Sequence, residues 1–169
     1  MKQIKTLLLA IALFIGGTSI MQGQSKVAHI NTQDLIAAMP DMKVAQSELD
    51  KLGKTYEADI KAMVTEYQNK MKLYEAEATS KTDEENEKRL VEVQTMQQNI
   101  QQFQGTAQQE MQKKEIDLLK PITEKAKAAI LKVARAQGYD YVLDSTQGGG
   151  VIMSDGKDLL EDVKTELGI

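Results

Sequence analysis

The sequence has no cysteine and no tryptophan, two prolines, two phenylalanines (Phe14 and Phe103) and a single histidine, His29. Each scarcity removes a class of protein. Without cysteine there is no disulfide framework, no thiolate metal ligand and no lipid anchor on a cysteine. One histidine cannot build the clusters that hold zinc. His29 lies in the apolar run Val27-Ala28-His29-Ile30, where a plain sheet position accounts for it better than a general base. No Gly-x-Ser-x-Gly motif occurs. Gly148-Gly149-Gly150 lacks the Lys-Ser/Thr of a phosphate loop and reads as a hairpin turn, and Asp155 and Asp158 do not have calcium-loop spacing. Glu75, Glu77, Glu84, Glu85 and Glu87 crowd together, but paired acid–base carboxylates need a walled cleft, and a solvated charged tip is the ordinary account of them. The sequence therefore implies no catalytic residue, no metal site and no cofactor, and an enzyme is not expected.

Charge excludes further partners. Residues 41–136 hold 16 Lys+Arg against 17 Asp+Glu, whereas the remainder after residue 24 holds 3 against 8. A neutral middle with acidic ends lacks the concentrated basic face that nucleic acid requires. It also lacks strong attraction to an anionic membrane. Large apolar side chains are too few for a deep globular core, so narrow helix–helix seams must carry much of the packing.

Residues 1–24 read as a secretory signal peptide. Lys2 and Lys5 form a basic start, Leu7 to Ile15 an apolar run, and Gly16-Gly17-Thr18-Ser19 leads toward cleavage around Gln22 to Ser25. The run is too short to span a bilayer, and no later run reaches that length. Residues 25–169 are then one domain by length.

Two long amphipathic segments dominate that domain, one from about Asp41 to Thr79 and the other from about Asp83 to Gln137. Apolar positions from Met42 to Tyr74 step by three or four, the helical period. If the chain folds back near Lys81–Thr82, facing residues have a nearly constant sum of residue numbers. Leu52 then meets Met111, Tyr56 meets Ala107, Ile60 meets Phe103, Met63 meets Ile100, Tyr67 meets Met96, Met71 meets Val93 and Tyr74 meets Leu90, with Ala45 and Leu118 in register at the base. An antiparallel coiled-coil hairpin follows, rather than one continuous rod. Thr82-Asp83-Glu84-Glu85 fits a capping box for the returning helix. Pro40 suits the first turn of the outgoing one, and Gly138 suits a left-handed stop. Pro121 removes a helical hydrogen bond and crowds the carbonyl of Asp117, which predicts a kink and a hinge. An arm of about 39 residues would reach roughly 58 Å.

The flanks, 25–40 and 138–169, form a small body around the base of the arm (41–137). Lys26–Asn31 reads as a strand, Gln33–Met39 as a short helix, and Tyr139–Asp144 as a second strand. The glycine run then turns into Val151-Ile152-Met153, Ser154-Asp155-Gly156 turns again, and Asp158–Leu167 reads as an amphipathic helix. So small a body is marginal alone, which predicts that it completes its core by joining other copies. The fold class is α+β: a long antiparallel helical hairpin on a small β-containing oligomerisation body.

Methionines and tyrosines mark the arm as a surface for loose binding. Tyr56, Met63, Tyr67, Met71, Tyr74, Met96 and Phe103 lie on the helical stripes, and methionine adapts to irregular partners. The same residues serve equally to zip the hairpin. Gln94, Gln97, Gln98, Gln101, Gln102 and Gln104 add a polar, uncharged skin.

Val27-Ala28-His29-Ile30-Asn31, Leu35-Ile36 and Met39-Pro40-Asp41 resemble the opening of the Skp/OmpH family of periplasmic chaperones, in its Bacteroidetes-like form. The close is similar too: Ala129-Ile130-Leu131-Lys132-Val133-Ala134, then Gly138-Tyr139-Asp140-Tyr141-Val142-Leu143-Asp144, then Gly148-Gly149-Gly150-Val151. The resemblance implies a homotrimer with a shared β core and three hanging arms. It implies an ATP-independent holdase for unfolded outer-membrane proteins, held in the cavity between the arms. The place would be the periplasm, including a peripheral position at the outer membrane. Val27, Ile30, Tyr141, Leu143, Val151 and Ile152 would belong to the assembled body. Some members carry a basic cluster credited with lipopolysaccharide binding; here the only arginines are Arg89 and Arg135, and that partner is not carried over. The competing function is an envelope spacer or adaptor with no chaperone activity.

Overall fold

The computed structural model describes residues 25–169, and residues 1–24, expected from the sequence to be a signal peptide, lie outside them. The elements in chain order are β1 (Val27–Ile30), α1 (Thr32–Ala38), α2 (Pro40–Glu77), a 3-10 turn (Ala78–Ser80), α3 (Asp83–Ala136), β2 (Tyr141–Asp144), β3 (Lys157–Asp158) and α4 (Leu160–Leu167). The arm is α2 and the distal part of α3. At 38 residues, α2 is about 57 Å long.

Local chemistry sets the ends of the arm. Pro40 opens α2, where a missing N–H costs nothing. At the tip the Thr82 hydroxyl accepts from Glu85 N while the Glu85 carboxylate accepts from Thr82 N at 3.1 Å. The bonds this carboxylate accepts from Thr82, from the backbone N first and then from the hydroxyl, hold the Glu85 carboxyl below its ordinary range. Asn86 Nδ2 reaches back to the Ala78 carbonyl at 2.9 Å and ties the turn to the returning helix. At the far end Gly138, with φ of 71°, stops α3 in the left-handed region a side chain would resist.

The two helices pack antiparallel and close to the expected register, except near the tip, where Leu90 is exposed and Tyr74 lies against Glu92 and Arg89 instead. Tyr56 and Phe103 meet edge to face, 6.0 Å between ring centres. Gly53 faces Met111. Ion pairs form rungs at the base, Lys125–Asp41 at 2.8 Å and Lys114–Glu48 at 2.9 Å, and near the tip, Arg89–Glu77 at 2.6 Å and Lys70–Glu92.

The sheet of the body departs from expectation. Its order is β2-β1-β3 and both pairings are parallel. The glycine run is therefore not a hairpin turn between adjacent strands. Val151-Ile152-Met153 forms no strand, and the third strand is the two-residue β3. Leu159 N donates to His29 O at 3.0 Å, which anchors that strand to β1. Ile152 and Met153 pair with no strand of their own chain and stand fully and largely exposed. Helix α4 starts at Leu160 rather than Asp158, whose carboxylate accepts from Leu160 N.

The core lies between the inner face of the sheet, α1, α4 and the proximal part of α3. Ile30, Leu35, Met39, Leu159 and Val163 are its fully buried large side chains, with Ile122, Ala126, Ala129 and Val133 from α3. Ala45 carries the same cluster into the base of the arm. Helix α3 continues through Pro121, and its neighbour Ile122 is buried in the body, so the proline sits where the arm leaves it.

Candidate functional site

The long seam of the arm takes up much of the surface of the residues singled out there. Tyr56, Met63, Tyr67, Tyr74, Met96 and Phe103 are half-buried, and only Met71 is exposed. Tyr56 and Tyr74 are fixed by carboxylates from the opposite helix. Tyr56 Oη donates to Glu110, which raises its pKa. Tyr74 Oη donates to Glu92 at 2.6 Å, which raises its pKa too. Arg89 lies over the Tyr74 ring, 4.5 Å from its centre. Glu92 also accepts from Lys70; that bond and the Tyr74 bond hold its carboxyl below the ordinary range. The distal seam is thus zipped by hydrogen-bonded and charged rungs as well as apolar contacts.

The exposed apolar surface of the arm comes from other residues. Val44, Leu73, Leu90, Val91 and Ile116 are more than half or about half exposed, and Met71 joins them at 42%. Sequence reasoning passed over Val44, Leu73, Val91 and Ile116, and it placed Leu90 in the seam against Tyr74, where the structure instead leaves it exposed. The signal of the four it passed over was legible as apolar residues out of phase with the stripe that faces the partner helix.

The body presents a second apolar surface. Along β1 the inner residues Ala28 and Ile30 are buried while Val27 is 44% exposed. On β2, Tyr141 and Leu143 are 60% and 46% exposed. The register pairs Val27 with Tyr141 and His29 with Leu143, so these side chains share the outer face of the sheet. Of the six residues predicted for the assembled body, Ile30 lies in the protomer's own core, Val151 is half-buried, and Val27, Tyr141, Leu143 and Ile152 are exposed. Strand β2 is an edge, and beside it a groove of about 580 Å³ runs along α3, lined by Ile36, Ile130, Leu131, Val142 and Leu143 among others.

Asp144 ties this edge to the rest of the body. Its carboxylate accepts from Thr32 Oγ1 at 2.7 Å, Thr32 N at 3.3 Å, Thr146 Oγ1 at 2.6 Å and Thr146 N at 3.0 Å. Partial burial pushes its pKa up, but the bonds from Thr146 and Thr32 outweigh that and lower it to about 2. Across the body, Asp162 accepts from Gln137 and Lys157, which lower its pKa in that order.

Among the described residues no group of three or more His, Cys, Asp or Glu side chains is placed to hold a metal ion. No described helix is long and apolar enough to cross a membrane. The arrangement offers two apolar surfaces, one on a long arm and one on a small sheet.

The fold has solved counterparts. A crystal structure from Caulobacter crescentus CB15, of a candidate outer membrane chaperone (OmpH-like), superposes with a TM-score of 0.75 over 86% of each chain at 17% identity. At that identity the likeness is one of fold. No curated protein sequence matches the chain. The family model described as outer membrane protein (OmpH-like) matches residues 26–167, nearly all of the described chain. The chain belongs to the OmpH-like outer membrane protein family.

Proposed function

We propose that this protein is an ATP-independent holdase chaperone of the periplasm. It binds unfolded outer-membrane proteins between the arms of a homotrimer and keeps them from aggregating. The observation that carries this reading is the arm itself: a slender hairpin with exposed apolar side chains from Val44 near its base to Leu73 and Leu90 near its tip. A client that must be released without an energy source is best held by many weak contacts. Tyr56, Met63, Tyr67, Met71, Tyr74, Met96 and Phe103 contribute the edges they leave outside the seam, and Met71 contributes most. Val27, Tyr141, Leu143 and Ile152 give other copies an apolar surface to cover. The free edge of β2 gives them unpaired backbone groups. Pro121, at the root of the arm, serves as its hinge.

The reading is tested with the purified protein and a urea-unfolded outer-membrane barrel diluted into buffer. A holdase suppresses light scattering at about one trimer per client. An envelope spacer leaves aggregation unchanged at every ratio, and that outcome would replace the chaperone with the spacer.

A further inference from the structure

The arm contains two glycines inside its helices, Gly53 in α2 and Gly105 in α3. Neither is required by packing. A Cβ built at Gly53 would lie 3.8 Å from Met111 Cε, an ordinary contact, and one at Gly105 would meet nothing within 4 Å. Neither has a positive φ. Helix-interior glycine costs about 1 kcal/mol relative to alanine, so each weakens its helix and gains no contact in return.

Their positions are related. Gly53 faces Met111, and Gly105 lies six residues from Met111 on the same helix, so the two weak points are about 9 Å apart along the arm. The seam between them is thin: Ala107 is the one buried side chain of that stretch of α3. Tyr56 straddles it, its ring against Phe103 on one side and its hydroxyl on Glu110 on the other. The ion-pair rungs lie elsewhere, toward the base at Glu48–Lys114 and toward the tip at Lys70–Glu92.

We propose that Gly53 and Gly105 form an elbow in the middle of the arm, with Tyr56 as the pin that makes both helices bend together. Pro121 sets the arm's angle at the body; the elbow sets the angle of its distal half. Only the functional consequence, a cavity mouth that adjusts to its contents, rests on the chaperone reading. The physical claim is tested without any client, so its failure is distinct from failure of the aggregation assay.

The test is amide hydrogen exchange on the full protein, wild type against Gly53→Ala/Gly105→Ala. In the wild type, exchange should be locally fast around residues 50–57 and 101–110, between slower flanks. Each replacement should slow the amides around it by about fivefold, the factor that corresponds to the glycine–alanine difference. Adding Ala62→Gly to the double variant should move the fast region toward residue 62. In parallel, spin labels on Ser80→Cys and Asp155→Cys, clean in a cysteine-free chain, report the tip-to-body distance. Its distribution should narrow in the double alanine variant. Exchange that only frays inward from the tip, or a distribution of unchanged width, would overturn the elbow.

Discussion

Replacing Asp144 by asparagine should weaken the fold in a way that depends on pH. The carboxylate gathers four hydrogen bonds from Thr32 and Thr146 and joins the end of β2 to the start of α1. Its pKa is about 2 against an ordinary 3.8. A group with a depressed folded pKa stabilises the native state fully above its unfolded value and loses that contribution as the pH falls through the folded one. The full interval corresponds to about 2.5 kcal/mol, and because Asp144 is exposed, screening should reduce it to about 1 kcal/mol. Urea unfolding followed by far-UV circular dichroism, at one fixed protein concentration, measures the gap between wild type and Asp144→Asn. The gap should be about 1 kcal/mol at pH 7 and shrink to about a third of that at pH 2.5. Comparison with the variant cancels the other carboxylates, including Glu85, Glu92 and Asp162, which are also held low. A gap that stays constant from pH 7 to pH 2.5, or no gap at pH 7, would refute the account of Asp144 as a charged tie.

Three further outcomes are expected. Leu35→Ala empties a site with 0% exposure at the centre of the body and should cost about 2–5 kcal/mol in urea unfolding. Tyr141→Glu with Leu143→Glu places charge on the outer sheet face and should convert a trimeric mass to a monomeric one by light scattering, with helical content retained; a trimer that persists would remove this face from the interface. Pro121→Ala lets residue 121 donate to the Asp117 carbonyl and should raise the melting temperature and change the range of client sizes held, and an unchanged range would dismiss the hinge at the arm's root.

The arm was legible because its determinants are local or periodic. The Thr82/Glu85 box, Pro40 at the first turn and Gly138 at the last each act within a few residues. The stripe from Met42 to Tyr74 repeats often enough to fix the register. The rungs Asp41–Lys125, Glu77–Arg89 and Tyr74–Glu92 lie two or three positions off the apolar pairing, at the flanks of the seam, where a register of apolar pairs does not point. The body was harder. Its sheet forms between segments separated by the whole arm, so strand direction has no local signal, and an expected hairpin turned out to be parallel strands. A two-residue strand such as Lys157–Asp158 has no alternation to detect. Val151-Ile152-Met153 has the composition of a strand but joins neither outer strand of the sheet, and composition alone does not make a pairing. Of the residues chosen for binding, all but Met71 are half-buried in the seam, and most of the outward apolar surface comes from other positions.

The whole arm is inserted between β1 and β2, which lie side by side, and it leaves the body and returns to it at neighbouring points tied by Asp41 and Lys125. Reach is therefore uncoupled from foundation. Matched additions or deletions of seven residues in each helix would change the projection by about 10 Å while preserving the seam. Evolution or an engineer can lengthen or shorten the projection without redesigning the pedestal.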